Sequence, residues 1–146
     1  MNAPNTIALI LIGLLLGAPL AAQQAETFGP FEVHYSAINT SQLSPTVARA
    51  YDIQRSSNRA MLNIAVLRSG DPENEPVSAI VTARTVNLTG QRRDIEMREI
   101  SDQGAIYSIG TFRITNEENI TFRVSVQPDG YATPYEFTFQ QKFYVY

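Results

Sequence analysis

The feature that most limits what this chain can fold into is its last stretch, residues 135–146, with the sequence YEFTFQQKFYVY. Tyr135, Phe137, Phe139, Phe143 and Val145 fall on one parity, interrupted only by Gln141, while Glu136, Thr138, Gln140 and Lys142 fall on the other. Successive side chains of a β-strand point to opposite faces, so the stretch reads as a strand with one buried and one wet face. Each large side chain taken out of water contributes roughly 1.5–3 kcal/mol. Four or five from one strand demand a second sheet to receive them.

The remainder of the chain reads as further strands. Phe31, Val33, Tyr35 and Ala37 alternate with Glu32, His34 and Ser36, after a Gly29-Pro30 turn. Leu62, Ile64 and Val66 mark a second strand, and Val77, Ala79, Val81 and Ala83 a third. A charged strand is expected over residues 91–100, a fifth over 105–114, and a sixth through Ile120, Phe122, Val124 and Val126. Ser69-Gly70-Asp71-Pro72, Asn87-Leu88-Thr89-Gly90, Ser101-Asp102-Gln103-Gly104 and Gln127-Pro128-Asp129-Gly130 are the turns between them. About seven short strands at even spacing predict an all-β, immunoglobulin-like antiparallel β-sandwich, with a small β-barrel as the alternative.

One segment departs from this rhythm. Ser44-Pro45 is a helix start, with Ser as N-cap and Pro at the first helical position. Leu43 and Ala48 stand at the hydrophobic-staple positions, and Leu43, Val47, Ala50 and Tyr51 are expected to form one apolar stripe. A short helix is therefore expected between the first two strands. A helix of two turns is marginal in water, so its stability must come from docking. Its loop, residues 39–59, is much longer than the usual connection of about 4–6 residues, and long ordered loops are more often functional.

The N-terminus reads as a targeting segment. Residues 7–16 are almost wholly apolar, shorter than the ~20 residues of a membrane-spanning helix. Pro19 closes the run, and Leu20-Ala21-Ala22 provides a cleavage site. The expected organisation is a signal peptide over residues 1–22 and a single β-sandwich domain over 23–146. An uncleaved anchor is the alternative.

Composition excludes several functions. Net charge is −3, whereas a nucleic-acid binder normally carries a basic surplus. The absence of cysteine removes disulfides, thiolate catalysis and cysteine-ligated metals. His34 is the one histidine, and no Gly-x-Ser-x-Gly elbow accompanies it. His34 shares its strand parity with Glu32 and Ser36, so it is expected to face outward. Asp71, Glu73 and Glu75 do not form a calcium loop, because Pro72 and Pro76 interrupt them. Asp94 and Glu96 alternate with Arg92 and Arg98, the pattern of a wet or protected strand face. Neither a metal nor a cofactor is expected.

The segment 33–59, VHYSAINTSQLSPTVARAYDIQRSSNR, carries His34-Tyr35, Leu43-Ser44-Pro45 with Ala48 and Tyr51, and Arg55-Ser56. With Asn63-Ile64-Ala65-Val66-Leu67 and Phe139-Gln140-Gln141-Lys142, it resembles an uncharacterised family of secreted bacterial proteins, the domain of unknown function DUF4426. The resemblance spans nearly all of the expected mature chain. It implies a Gram-negative periplasmic location and a β-sandwich, and it brings no catalytic residue.

The reading that follows is a periplasmic, non-enzymatic protein that binds or assists a cell-envelope protein, without nucleic acid and without stable membrane insertion once the leader is removed. Its candidate binding residues are Arg55, Arg59, His34 and Tyr35. The two arginines flank a polar loop suited to a carboxylate or phosphate. The alternatives are a structural accessory that pairs a strand edge with another chain and a hydrolase that uses His34.

Overall fold

A computed structural model describes residues 24–146. The expected leader therefore lies outside the described residues. Ten strands run in the order β1 (Gln24–Phe28), β2 (Phe31–Asn39), β3 (Arg59–Arg68), β4 (Glu75–Pro76), β5 (Ala79–Asn87), β6 (Arg92–Ile95), β7 (Arg98–Asp102), β8 (Ala105–Arg113), β9 (Glu118–Pro128) and β10 (Tyr135–Phe143). They form two antiparallel sheets. One has the order β1-β2-β3-β8-β7, with β4 attached to β3, and the other has the order β10-β9-β5-β6. Among the described residues the sheets pack as a sandwich and do not close into a barrel.

The period-2 pattern accounts for the core. Phe31, Val33, Tyr35, Leu62, Ile64 and Val66 from the larger sheet meet Phe122, Val124, Val126, Phe137 and Phe143 from the smaller one, all buried. Gln141, the polar residue on the apolar parity of β10, donates from Nε2 to the Ala37 carbonyl at 2.8 Å. Two residues further on the Asn39 Nδ2 donates to the Tyr144 carbonyl at 2.7 Å. β1 pairs only as far as Gln24 opposite Tyr35, so these two bonds tie down the stretch of β2 that β1 does not reach.

Ten strands replace the expected seven for three reasons. β1 is polar and exposed along most of its length, so no alternation announces it. β4 is only two residues long. The single charged strand expected over 91–100 is two strands in different sheets. β6 pairs with β5, and after Glu96-Met97 the chain crosses the sandwich so that β7 pairs with β8.

Gly110 makes this crossing possible. It faces inward on β8, opposite Leu62, and the crossing segment rests against its bare Cα. A Cβ there would lie 2.6 Å from Ile95 Cγ2 and 2.7 Å from both the Glu96 carbonyl oxygen and Met97 Sδ.

A short helix, α1 (Pro45–Ala50), lies between β2 and β3 as expected, preceded by a 3-10 turn at Thr40–Gln42. Ser44 Oγ accepts from the Val47 N–H at 3.2 Å, the predicted cap. The helix ends in a left-handed residue, Asp52 at φ 54°. Its N–H donates to the Arg49 carbonyl, and the Ile53 N–H donates to the Ala48 carbonyl at 2.7 Å. This Schellman arrangement folds Ile53 back onto Ala48. The buried stripe is Leu43, Val47, Ala48 and Tyr51; Ala50, expected in it, is exposed, because the helix turns its Ala48 side to the sheet.

Placing a methyl group at Gly110 tests the crossing. Gly110→Ala is expected to destabilise the fold by about 1–3 kcal/mol through overpacking, read as a lower denaturant midpoint with unchanged slope. A change below about 0.5 kcal/mol, the range of a neutral surface substitution, would show that the crossing does not depend on this position.

Candidate functional site: a groove over a fork in the larger sheet

The outward face of the larger sheet is organised in cross-strand rows. On β2 and β3 the opposing pairs are Ile38–Met61, Ser36–Asn63, His34–Ala65 and Glu32–Leu67. The loop of residues 39–59 covers the first row. Ile38 and Met61 join Leu43, Val47, Ala48, Tyr51, Ile53, Tyr107 and Ile109 in a second apolar core outside the sandwich. Beyond that cover the Ser36–Asn63 row is still buried, and the face opens from the His34–Ala65 row onward.

The sheet also divides there. β3 pairs with β8 only as far as Ile64 opposite Ser108. β8 then continues beside β7 down to Ala105, whereas β3 takes β4 as its partner at Leu67–Pro76. Over this fork lies a groove of about 260 Å³. β3 contributes Asn63, Ala65 and Leu67, with Pro76 on one side and Ala105 to Tyr107 on the other; His34, Tyr35 and Ser36 complete the lining from β2.

Most of this surface is carbon, which makes Asn63 stand out. Asn63 is 4% exposed, and its Oδ1 is buried without a hydrogen-bond partner. A buried acceptor left unpaired costs about 1–3 kcal/mol, and nearly all buried polar groups in folded proteins avoid that cost. Ser36, directly opposite, is also buried.

The candidate residues read from the sequence do not come together. His34 faces outward as expected, lines the groove, and places Nε2 2.8 Å from Glu32 Oε1. Tyr35 borders the groove, but its ring points into the sandwich, 4.8 Å from Phe137 and 4.6 Å from Phe139, and its hydroxyl donates to Gln24 Oε1. Arg55 lies away from the groove, where its Nε donates to the Leu43 carbonyl at 2.7 Å and its Nη2 to the Ser41 carbonyl at 3.0 Å. Arg59 donates to Thr111 Oγ1 at 2.9 Å and lines a separate polar hollow with Asp52, Glu96 and Arg98. Asn63 is the residue that sequence reasoning missed.

The loop is fastened at several points next to the groove. Thr40 Oγ1 accepts from the Ser56 N–H at 2.8 Å and donates to the Ser56 carbonyl at 3.1 Å, closing the loop on itself. The Tyr51 hydroxyl donates to Asp102 Oδ2 at 2.8 Å, and Arg98 donates to the Tyr51 carbonyl. Burial first, and then Asp102, pushes the Tyr51 hydroxyl well above its ordinary range. Burial and then Asp102 also raise Tyr107, and burial and then Glu26 raise Tyr35.

Comparison with known proteins defines the lineage. The family model described as a domain of unknown function, DUF4426, matches residues 25–146. The chain belongs to the DUF4426 family. A crystal structure of a DUF4426 family protein from Pseudomonas aeruginosa PAO1 superimposes with a TM-score of 0.76 at 31% identity, covering 88% of this chain and 99% of that one. FetP of uropathogenic Escherichia coli strain F11, recombinantly expressed in the periplasm of E. coli, has the same fold at a TM-score of 0.62 and 9% identity, covering 86% of this chain and 95% of its own. A copper-bound FetP variant gives 0.61 at 10% identity, with 86% and 97% covered. No curated protein matches the chain. Among the described residues of this DUF4426 chain, no helix is long and apolar enough to cross a membrane.

The three raised tyrosines predict alkaline sensitivity. The unfolded chain releases their protons near pH 10, while the folded chain holds them to higher pH. Stability is therefore unaffected by these groups below about pH 10 and falls as pH rises beyond it. Denaturant midpoints measured from pH 8 to 11 should decline above pH 10, and less steeply in Tyr51→Phe. A flat profile in the parent protein would contradict the assignment.

Proposed function

We propose that this DUF4426 protein is an exported, non-catalytic binding protein of the Gram-negative envelope, and that the groove over the β3 fork receives a protein partner. The observation that carries this reading is the apolar groove over the fork, lined by His34, Ala65, Leu67, Pro76 and Ala105. Concave apolar surface with a few placed polar groups is the common form of a binding site.

Export is supported by the apolar run of residues 7–16 followed by Leu20-Ala21-Ala22. Binding is favoured over hydrolysis because His34 Nε2 is engaged with Glu32 rather than with Ser36, its outward neighbour on β2. The copper of the FetP variant is not carried over. His34 is the one histidine here, and no group of three or more His, Cys, Asp or Glu among the described residues could hold a metal. Edge pairing at β6 is less favoured, because exposed Arg92, Arg93 and Asp94 charge that edge.

Site-specific photocrosslinking in a Gram-negative host tests both parts. The periplasmic form should begin at Gln23 by intact mass. A photoreactive residue at Leu67, inside the groove, should yield one dominant adduct with an envelope protein. The same residue at Arg84, on the outer face of the smaller sheet, should not. Full-length chain confined to membranes, or equal adducts from both positions, would contradict the proposal.

A further inference from the structure

We infer that β10 is a dimerisation strand, whose free edge pairs antiparallel with β10 of a second copy of this chain about a two-fold axis through Phe139. The pairing uses a different surface from the groove and does not depend on it.

β10 ends the smaller sheet, so along one side its backbone N–H and C=O groups have no strand to pair with. Among the described residues it is also the edge with the fewest protective devices. Its nine residues pair with β9 in unbroken register, from Tyr135 opposite Val126 to Phe143 opposite Glu118. It contains neither Pro nor Gly. The other edges are shorter or blunted. β1 has five residues, and β6 has four, three of them charged. β7 carries Arg98, Glu99 and Asp102, and the Glu99 carboxylate accepts from Ser78 Oγ and the Ala79 N–H across its side of the sandwich.

Self-complementarity selects the occupant. The register that overlaps all nine residues of two antiparallel copies sets Tyr135 opposite Phe143 and Phe139 opposite itself. That same register sets Glu136 opposite Lys142 and Thr138 opposite Gln140 at both ends of the pairing. Glu136 and Lys142 are exposed, and neither is ion-paired among the described residues. Within one chain they cannot meet, since six residues of strand separate them by roughly 20 Å. Across the axis they form two ion pairs, and opposite charges directly opposed stabilise neighbouring strands where like charges destabilise them. Opposed residues share parity, so both cores stay on one side of the joined sheet.

Phe139 is the second observation. It has the parity of buried Phe137 and Phe143, yet at the open edge it is only partly buried. Its ring stacks on Phe122 with centroids 4.5 Å apart. An axis through Phe139 brings the two copies' rings side by side and takes this remaining apolar surface out of water. The groove lies on the outer face of the larger sheet, so the pairing leaves it open.

Sedimentation of the exported protein tests the inference with two charge-reversal variants, Glu136→Lys and Lys142→Glu. Both positions are exposed, so neither change should move the denaturant midpoint appreciably. The parent should show a reversible monomer–dimer equilibrium. Each variant alone opposes like charges at both contacts and should dissociate about tenfold more readily. Mixed together, the two variants restore opposite charges at both contacts, so the mixture should dimerise as the parent does. One chain carrying both substitutions should do the same.

A parent protein that stays monomeric at millimolar concentration would overturn the inference and leave the edge to a strand of some other protein. A dimer that neither variant weakens would also overturn it, because association then runs through another surface. So would a mixture no better associated than its components. The parent measurement needs no substitution, so the inference remains open to refutation even if a variant fails to fold.

Discussion

The aromatic seam between the sheets is the interaction on which the rest of the structure depends. Phe122, fully buried on β9, stacks on Phe139 of β10 with centroids 4.5 Å apart and planes 9° apart. Phe112 meets Phe122 edge-on at 5.3 Å and Phe143 at 5.6 Å. Tyr35 packs against Phe137 and Phe139 from the opposite sheet. Such pairs contribute about 0.5–1.5 kcal/mol beyond simple burial. They also fix register. A slip of one residue in β2 would move Tyr35 out of the seam and turn every outward residue inward. The outward placement of Ser36 and His34 is therefore a consequence of where Tyr35 is held.

The larger sheet is thus covered on its inner face by the smaller sheet, and on its outer face only in part. The loop of residues 39–59 covers the Ile38–Met61 row with its own small core, locked by the Ser44 cap, the Schellman turn at Asp52 and the reciprocal Thr40–Ser56 pair. Arg55, bonded to the Leu43 and Ser41 carbonyls, braces the same loop. The cover stops at the Ser36–Asn63 row, where β8 and β4 diverge. Rigid cover on one side and a fork on the other give the groove fixed walls, so little ordering would be required of it on binding.

Much of this was legible in the sequence. Alternation in the C-terminal strand and in residues 31–37 followed the burial actually found, and Ser44-Pro45 marked the helix start. What periodicity could not show was which sheet a strand joins. The charged run 91–100 looked like one strand, although its apolar residues shift parity from Ile95 and Met97 to Ile100, the sign of the crossing. The polar strand Gln24–Phe28 gave no signal because its pairing comes from β2 and from backbone bonds. Asn63 was hidden for a similar reason. A polar residue on the outer parity of a strand normally faces water, and only the loop above it and the fork beside it make this one buried. The one available hint was that its neighbours on that parity, Met61, Ala65 and Leu67, are too apolar for a wet face.

The account of the outer face stands on Asn63 Oδ1 being buried and unpaired, at a cost to the stability of the isolated protein. Equilibrium denaturation of Asn63→Leu, in the absence of any partner, measures that cost directly. Replacing the unpaired amide by an apolar side chain should raise stability by about 1–3 kcal/mol, seen as a higher denaturant midpoint with unchanged slope. A midpoint lower than that of the parent protein would show that Asn63 supports the fold through a bonded role of its own, and would contradict the account of this row.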